Sequence, residues 1–423
     1  MQNKYTLAII FIFITSLNIS IAEIPDYRTQ LKPNNDLNDA TSHYNKGMEK
    51  GQSGNYMEAI DEFDEALKIK PDYIDALAMR GLSKYYLGAY DDAIEDYTNL
   101  IKLKPDFTDA YLQRALVYFY SFRYNMAIED CSNALNYNHT LAVAYFIRGV
   151  SKNYSKDLNG SLQDLDSAIH YKSNYADAIY NRGLIKQQLK DNEGSVKDFD
   201  NAISLNPTHV DAYYNRAVSK RQMKNYPEAL ADLENTIKLK NDYVDAYFTR
   251  ALIKQEIHDN KGALEDVNFV IYNKPQFTEA YYVRGIIYHE MEYYNQSLEN
   301  FSKAINLRND FADAYYNRGI VKHSLGKYES AIDDFNETIR IDSTHTGAYM
   351  EKGESEFDLK QYDLALANFL KVIKINSNDA NAHYKAGHSY YNLGQLEAAC
   401  MEWKIAKDLG FVDGFEMIES NCK

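Results

Sequence analysis

Three cysteines, ten histidines and 61 carboxylates are the side chains here with chemistry to offer. Cys131 stands alone at a helical core spacing, where packing is its expected role. Cys400 and Cys422 lie 22 residues apart near the end of the chain and are the disulfide candidates. Such a bond needs an oxidising compartment and Cα atoms no more than about 7 Å apart; the alternative is two unrelated thiols. The histidines are scattered. His289 and His323 recur at one interval and are expected to be neighbours, whereas His383 and His388, five apart on one helix, are poorly spaced for a shared metal. No cysteine or carboxylate completes a ligand set beside them. The sequence contains no P-loop, dinucleotide fingerprint, nucleophile elbow or HExxH motif. The carboxylates recur at a fixed period, as architecture does and a catalytic pair does not. No catalytic residue, metal or cofactor is expected, and the chain does not read as an enzyme.

That period is 34 residues, kept without insertion from Gly47 to Gly387. Counting Ala40 as position 1, eleven repeats fill residues 40–413. Each holds two apolar-periodic runs with i, i+3, i+4, i+7 spacing and no two-residue alternation, so each reads as a helix-turn-helix. The expected fold is all-α, a solenoid in which each unit packs on its neighbours. We call the two helices A and B. Position 8, mid-helix in A, is Gly or Ala in every copy (Gly285 and Gly319 among them), and position 20 in B is Ala or Ser (Ser297, Ala331). A mid-helix Gly costs about 1 kcal/mol against Ala, so the A and B backbones are expected to cross closely there. Position 7 is basic in ten copies (Arg182, Arg318) and position 23 acidic in nine (Asp198, Asp334), with Lys frequent at position 11. An Arg–Asp ladder between A and B is expected, within or between repeats, because the guanidinium fork binds a carboxylate through two parallel bonds.

Repeat one places Gly47, Ala59, Phe63, Ala66 and Pro71 at positions 8, 20, 24, 27 and 32. This pattern resembles the tetratricopeptide repeat and covers most of the chain. The resemblance implies a right-handed superhelix with the A helices on the concave side, a groove for proteins or peptides, and a closing helix at the end. It departs at position 7, where the family usually carries Leu. Members that clamp a C-terminal carboxylate use Lys at position 5 and Asn at position 9; here those positions are aromatic and aliphatic, so that clamp is absent.

On helix A, positions 2, 5, 9 and 12 share one face, bordered by position 6. Position 2 supplies Asp211, Asp245, Glu279 and Asp313, position 5 supplies Tyr214, Phe248, Tyr282 and Tyr316, and position 6 supplies Asn215 and Asn317. These are the expected groove residues, favouring a neutral to basic segment of a partner. The competing expectation is that the acids cap helix A and the rings pack between repeats. A different class of ligand, an envelope carbohydrate stacked on the tyrosine rows, is the alternative function.

A net charge of −15, with no cluster of Lys and Arg, argues against nucleic acid or an anionic membrane as partner. Residues 1–22 read as a signal peptide: Lys4, then the apolar run Leu7 to Ile14, then small residues up to Ala22. Polar residues interrupt that run too early for a membrane span, so none is expected after cleavage. Residues 23–39 read as a linker and 414–423 as a C-terminal cap. The ending around Cys400 and Trp403 resembles exported solenoids of Bacteroidetes-like bacteria. Export to the periplasm or beyond is the expectation.

Overall fold

The computed structural model describes residues 39–411, 418 and 420–422. The signal peptide, nearly all of the linker and most of the cap lie outside these. Among the described residues there are 22 α-helices, from Asp39–Gln52 to Leu396–Asp408, and no strand. They pair as eleven helix-turn-helix repeats in two compact units, residues up to Asn241 and residues from Asp242.

Repeat nine shows how the sequence builds each pair. Helix A runs Ala312–Ser324 and helix B Tyr328–Ile341. Helix A stops because position 15, here Gly326, adopts a left-handed φ of 69°. The Lys327 N–H then reaches back to the Lys322 carbonyl at 2.9 Å, a C-cap that satisfies an otherwise orphaned acceptor. After helix B the Asp342 carboxylate accepts the Thr344 N–H at 3.0 Å and turns the chain. Asn138 and Asn206 do the same elsewhere.

The small residues at position 8 are explained by an aromatic ring, not by the close backbone crossing expected. A Cβ on Gly319 would lie 2.6 Å from Cε1 of Phe335 at position 24, and one on Gly285 would lie 2.7 Å from Phe301. Where position 8 is Ala (Ala115, Ala217, Ala251), position 24 is Cys131, Leu233 or Val267. Ring and methyl group alternate in the same space. Gly149, opposite Leu165, is the case where a backbone oxygen, that of Ser161, stands 3.2 Å away.

The ladder is present and runs both ways. Asp198 accepts Arg182 Nε at 2.9 Å and Nη2 at 2.6 Å, and Lys186 adds a third contact at 2.8 Å. Arg182 Nη1 meanwhile reaches Asp166 in the preceding repeat at 2.8 Å. Burial pulls the Arg182 guanidinium down, but the hydrogen bonds and charge of Asp198 and Asp166 outweigh it and raise its pKa. The rung recurs at Arg148–Asp164, Arg250–Asp266 and Arg318–Asp334. Tyrosines at position 4 stack on the same guanidinium groups, Tyr213 on Arg216 at 5.3 Å and Tyr315 on Arg318 at 5.4 Å. Charge varies from rung to rung: Arg182 and Lys186 face Asp198 and Asp166, whereas Arg318 and Lys322 share Asp334, with Ser302 in the place of the second carboxylate. In repeat eight the acceptor is the amide of Asn300, and Tyr288 takes the place of the lysine. In repeat ten the acid moves to helix A as Glu356, hydrogen-bonded to Asn368.

Cys400 and Cys422 are joined, with Cα atoms 5.7 Å apart. Cys131 is fully buried, and burial pushes its thiol pKa well up, leaving it unreactive.

Candidate partner-binding face of the A helices

Position 5 is held from both sides within its own repeat. The Tyr282 ring lies 5.8 Å from Phe301 at position 24 and 4.8 Å from Phe311 at position 34. Tyr316 sits likewise between Phe335 and His345, and Phe248 against Phe277 at 4.8 Å. Tyr214 and Tyr282 are only 5% exposed, Phe248 7% and Tyr316 9%. These four rings are therefore interior groups, which corrects their expected place on an open groove. The carbohydrate alternative, which relied on the same rows, loses its platform with them.

The asparagines at position 6 fasten repeat to repeat. Asn317 donates to the Tyr282 hydroxyl at 3.0 Å and to its own-turn carbonyl of Asp313 at 2.8 Å. Asn215 does the same with Tyr180, at 2.9 Å, and with Asp211. Asn215 is buried and Asn317 half-buried. Helix geometry had put ring and amide on one face correctly, but the row at position 34 covers them. That row sits in the B-to-A turn, where no helical period points to it.

What remains accessible is the rim. The acids at position 2 are half-buried, and two of them are neutralised by a cation from position 31 of the same repeat. Lys274 meets Asp245 at 2.8 Å, and Arg308 meets Glu279 at 2.8 Å while lying 3.8 Å over Phe311. They stand in the first turn of helix A, two residues past the N-cap residues Tyr243 and Phe277, where a negative charge suits the helix dipole. Repeats nine and ten break the rule. Position 31 is Asp342 in repeat nine and Asn376 in repeat ten, and Asp313 has no ion pair among the described residues. Glu351, at position 6 of repeat ten, has none either, and burial raises its carboxyl pKa above the ordinary value. Beside it, burial and then the Glu351 charge push the Tyr316 hydroxyl up to about 12. Gly347 leaves position 2 of repeat ten without a side chain, its absent Cβ 3.0 Å from the Tyr316 hydroxyl. His323 and Asp358 pair at 3.1 Å, and Lys385 pairs with Glu354 at 2.8 Å. Asp313 and Glu351 thus stand in adjacent repeats without an ion pair among the described residues, as Asp75 and Asp109 do in repeats two and three, and Glu351 shares with Asp75 a carboxyl pKa raised by burial. Glu351 went unnoticed in sequence because position 6 varies from copy to copy and carries a carboxylate in this copy alone.

Among the described residues no cluster of His, Cys, Asp and Glu has the geometry to hold a metal, and no helix is long and apolar enough to cross a membrane.

Family profiles described as TPR repeat match residues 81–120, 285–326 and 353–394. Profiles described as tetratricopeptide repeat match 312–345, 199–231, 40–73 and 176–209. Together they span more than half of the chain. No curated protein matches the sequence. Among solved structures, a tetratricopeptide repeat protein from Parabacteroides merdae is 18% identical with a TM-score of 0.45, over 59% of this chain and 99% of that one. The Cut9–Hcn1 hetero-tetramer of the APC/C is 10% identical with a TM-score of 0.47, over 92% of this chain and 97% of that one. YrrB, described as a TPR protein with an unusual peptide-binding site, is 20% identical with a TM-score of 0.39, over 44% of this chain and 95% of that one.

Proposed function

The chain belongs to the tetratricopeptide-repeat family, and from that premise we propose that it is an exported scaffold holding a basic, extended segment of a protein partner. The contact is the A-helix face of repeats nine and ten. One observation carries this: Asp313 and Glu351 lack the cation that Asp245 and Glu279 have from position 31. Glu351, half-buried and with its carboxyl pKa raised by burial, gains most from an incoming Lys or Arg, because an ion pair replaces the hydration that burial removed. The protein offers no catalytic grouping at this face, so binding is the activity proposed.

Arrays of short peptides, uniformly extended and carrying either Lys or Glu at alternate positions, test it on the full chain. Lys peptides are expected to be retained and Glu peptides not. The double replacement Asp313→Asn with Glu351→Gln is expected to weaken Lys-peptide binding at least about tenfold, or 1.4 kcal/mol. Equal retention by the double variant would sink this assignment.

Export is supported by the Leu7 to Ile14 run ahead of Ala22 and by the joined Cys400 and Cys422. Intact-mass measurement on protein from an envelope fraction is expected to find Glu23 as the first residue and two hydrogens fewer than the reduced chain. A first residue at Met1 with both thiols free would place the protein elsewhere.

A further inference from the structure

The A-to-B turn of repeat three differs from the rest. Position 15 has a positive φ in every repeat, and its occupants elsewhere are Gly, Lys, His or Glu. In repeat three it is Phe122, at φ 61° and 79% exposed. A bulky side chain in the left-handed region is strained by about 1–2 kcal/mol. The chain has an unstrained solution in use. Repeats two and nine put the apolar residue one place earlier, as Leu87 and Leu325, and Gly at position 15. Repeat three has Ser121 followed by Phe122. The left-handed φ is shared with Lys156, Lys190, Lys224, His258, Glu292 and Lys360, so what sets repeat three apart is the ring itself, and packing does not account for it, since it stands in solvent.

Phe122 is one wall of an open hollow of about 300 Å³, lined also by Arg123, Tyr124, Asn125, Met126 and Ser155. Tyr124 stands edge-on to Phe122 at 6.4 Å and is braced from behind by Tyr154, stacked at 4.8 Å and 9°. The floor is therefore rigid. Arg123 is neutralised by Asp91 at 2.6 Å, so the hollow carries no net charge. Asn125 and Ser155 meet only at 3.5 Å, a contact too long to use up their hydrogen-bonding capacity.

From this geometry we infer a subsite for a neutral saccharide on the repeat-three turn, separate from the A-helix face and independent of the peptide assignment. The exposed Phe122 ring offers an apolar platform for the C–H face of a sugar ring, while Asn125 and Ser155 reach its hydroxyls. A purely apolar anchor from a protein would cover those two polar groups without replacing their bonds to water, which costs free energy. A charged ligand would find no counter-charge. The volume is at the lower end for small-ligand sites, which fits one or two sugar units of a longer chain.

Affinity electrophoresis of the intact protein through gels containing soluble starch, xylan, mannan or laminarin tests this. At least one polysaccharide is expected to retard the wild type. Phe122→Gly should weaken that retention about tenfold or more and should not lower the melting temperature, because Gly suits the left-handed turn. Tyr272→Ala removes a ring that is 84% exposed on a helix of the other unit, and it is expected to leave retention unchanged. Four results would overturn the proposal: no retardation by any of the four, equal retardation of Phe122→Gly, loss with Tyr272→Ala, or a wild-type dimer that Phe122→Gly dissociates without any saccharide effect.

Discussion

Asp198→Ala is expected to destabilise repeat five and its junction with repeat four by about 3–5 kcal/mol, the range for removing one partner of a buried ion pair. Asp198 is 2% exposed and takes three hydrogen-bonded contacts from Arg182 and Lys186. Truncation strands two cations whose own side chains are about four-fifths buried. Arg182 keeps Asp166, which is more than half exposed, so the loss belongs toward the lower end of that range. Asp198→Asn should cost less but still leave Lys186 without a counter-charge. Combining Asp198→Asn with Lys186→Tyr copies the natural rung of Tyr288 and Asn300, and is expected to recover most of the loss. Because a repeat array need not unfold in one step, the measurement is hydrogen exchange over residues 142–205 alongside urea unfolding. An Asp198→Ala protein within about 0.5 kcal/mol of wild type, the scatter of ordinary surface changes, would mean the rung contributes no stability.

Gly319→Ala is the second large expectation, and its sign depends on another residue. Alanine favours helix by about 1 kcal/mol, but its methyl group would sit 2.6 Å from a Phe335 ring that is wholly buried. Forcing a packed ring aside costs about 1–3 kcal/mol, so the single substitution is expected to destabilise. With Phe335→Leu already in place, Gly319→Ala should stabilise, because the pair then matches Ala217 with Leu233. Urea unfolding of the four proteins of the cycle gives the coupling, expected at about 1–3 kcal/mol. Additive effects would refute the ring-for-methyl exchange and return the explanation to backbone crossing.

The sequence by itself determined the helix pairs, their number and the ladder. Helical periodicity is a local property, and Arg182 and Asp198 find each other because a fixed 16-residue offset puts opposite charges at the same height of paired helices. Periodicity also put Tyr282, Asn317 and Glu279 on one side of helix A. It could not say how deep each would lie, since depth is decided by atoms from elsewhere: Phe311 from a turn covers Tyr282, and Asn317 from the next repeat ties down its hydroxyl. Only the tertiary structure decided that the rings are mortar and the rim acids the surface. It decided too which acids are spent, because Arg308 lies 29 residues from Glu279 yet meets it at 2.8 Å. The same holds for Phe122, an unremarkable letter in a turn until its φ, its exposure and its neighbours are known. Side-chain burial is a many-body quantity, and a one-dimensional pattern carries the direction of a side chain but not what comes to cover it.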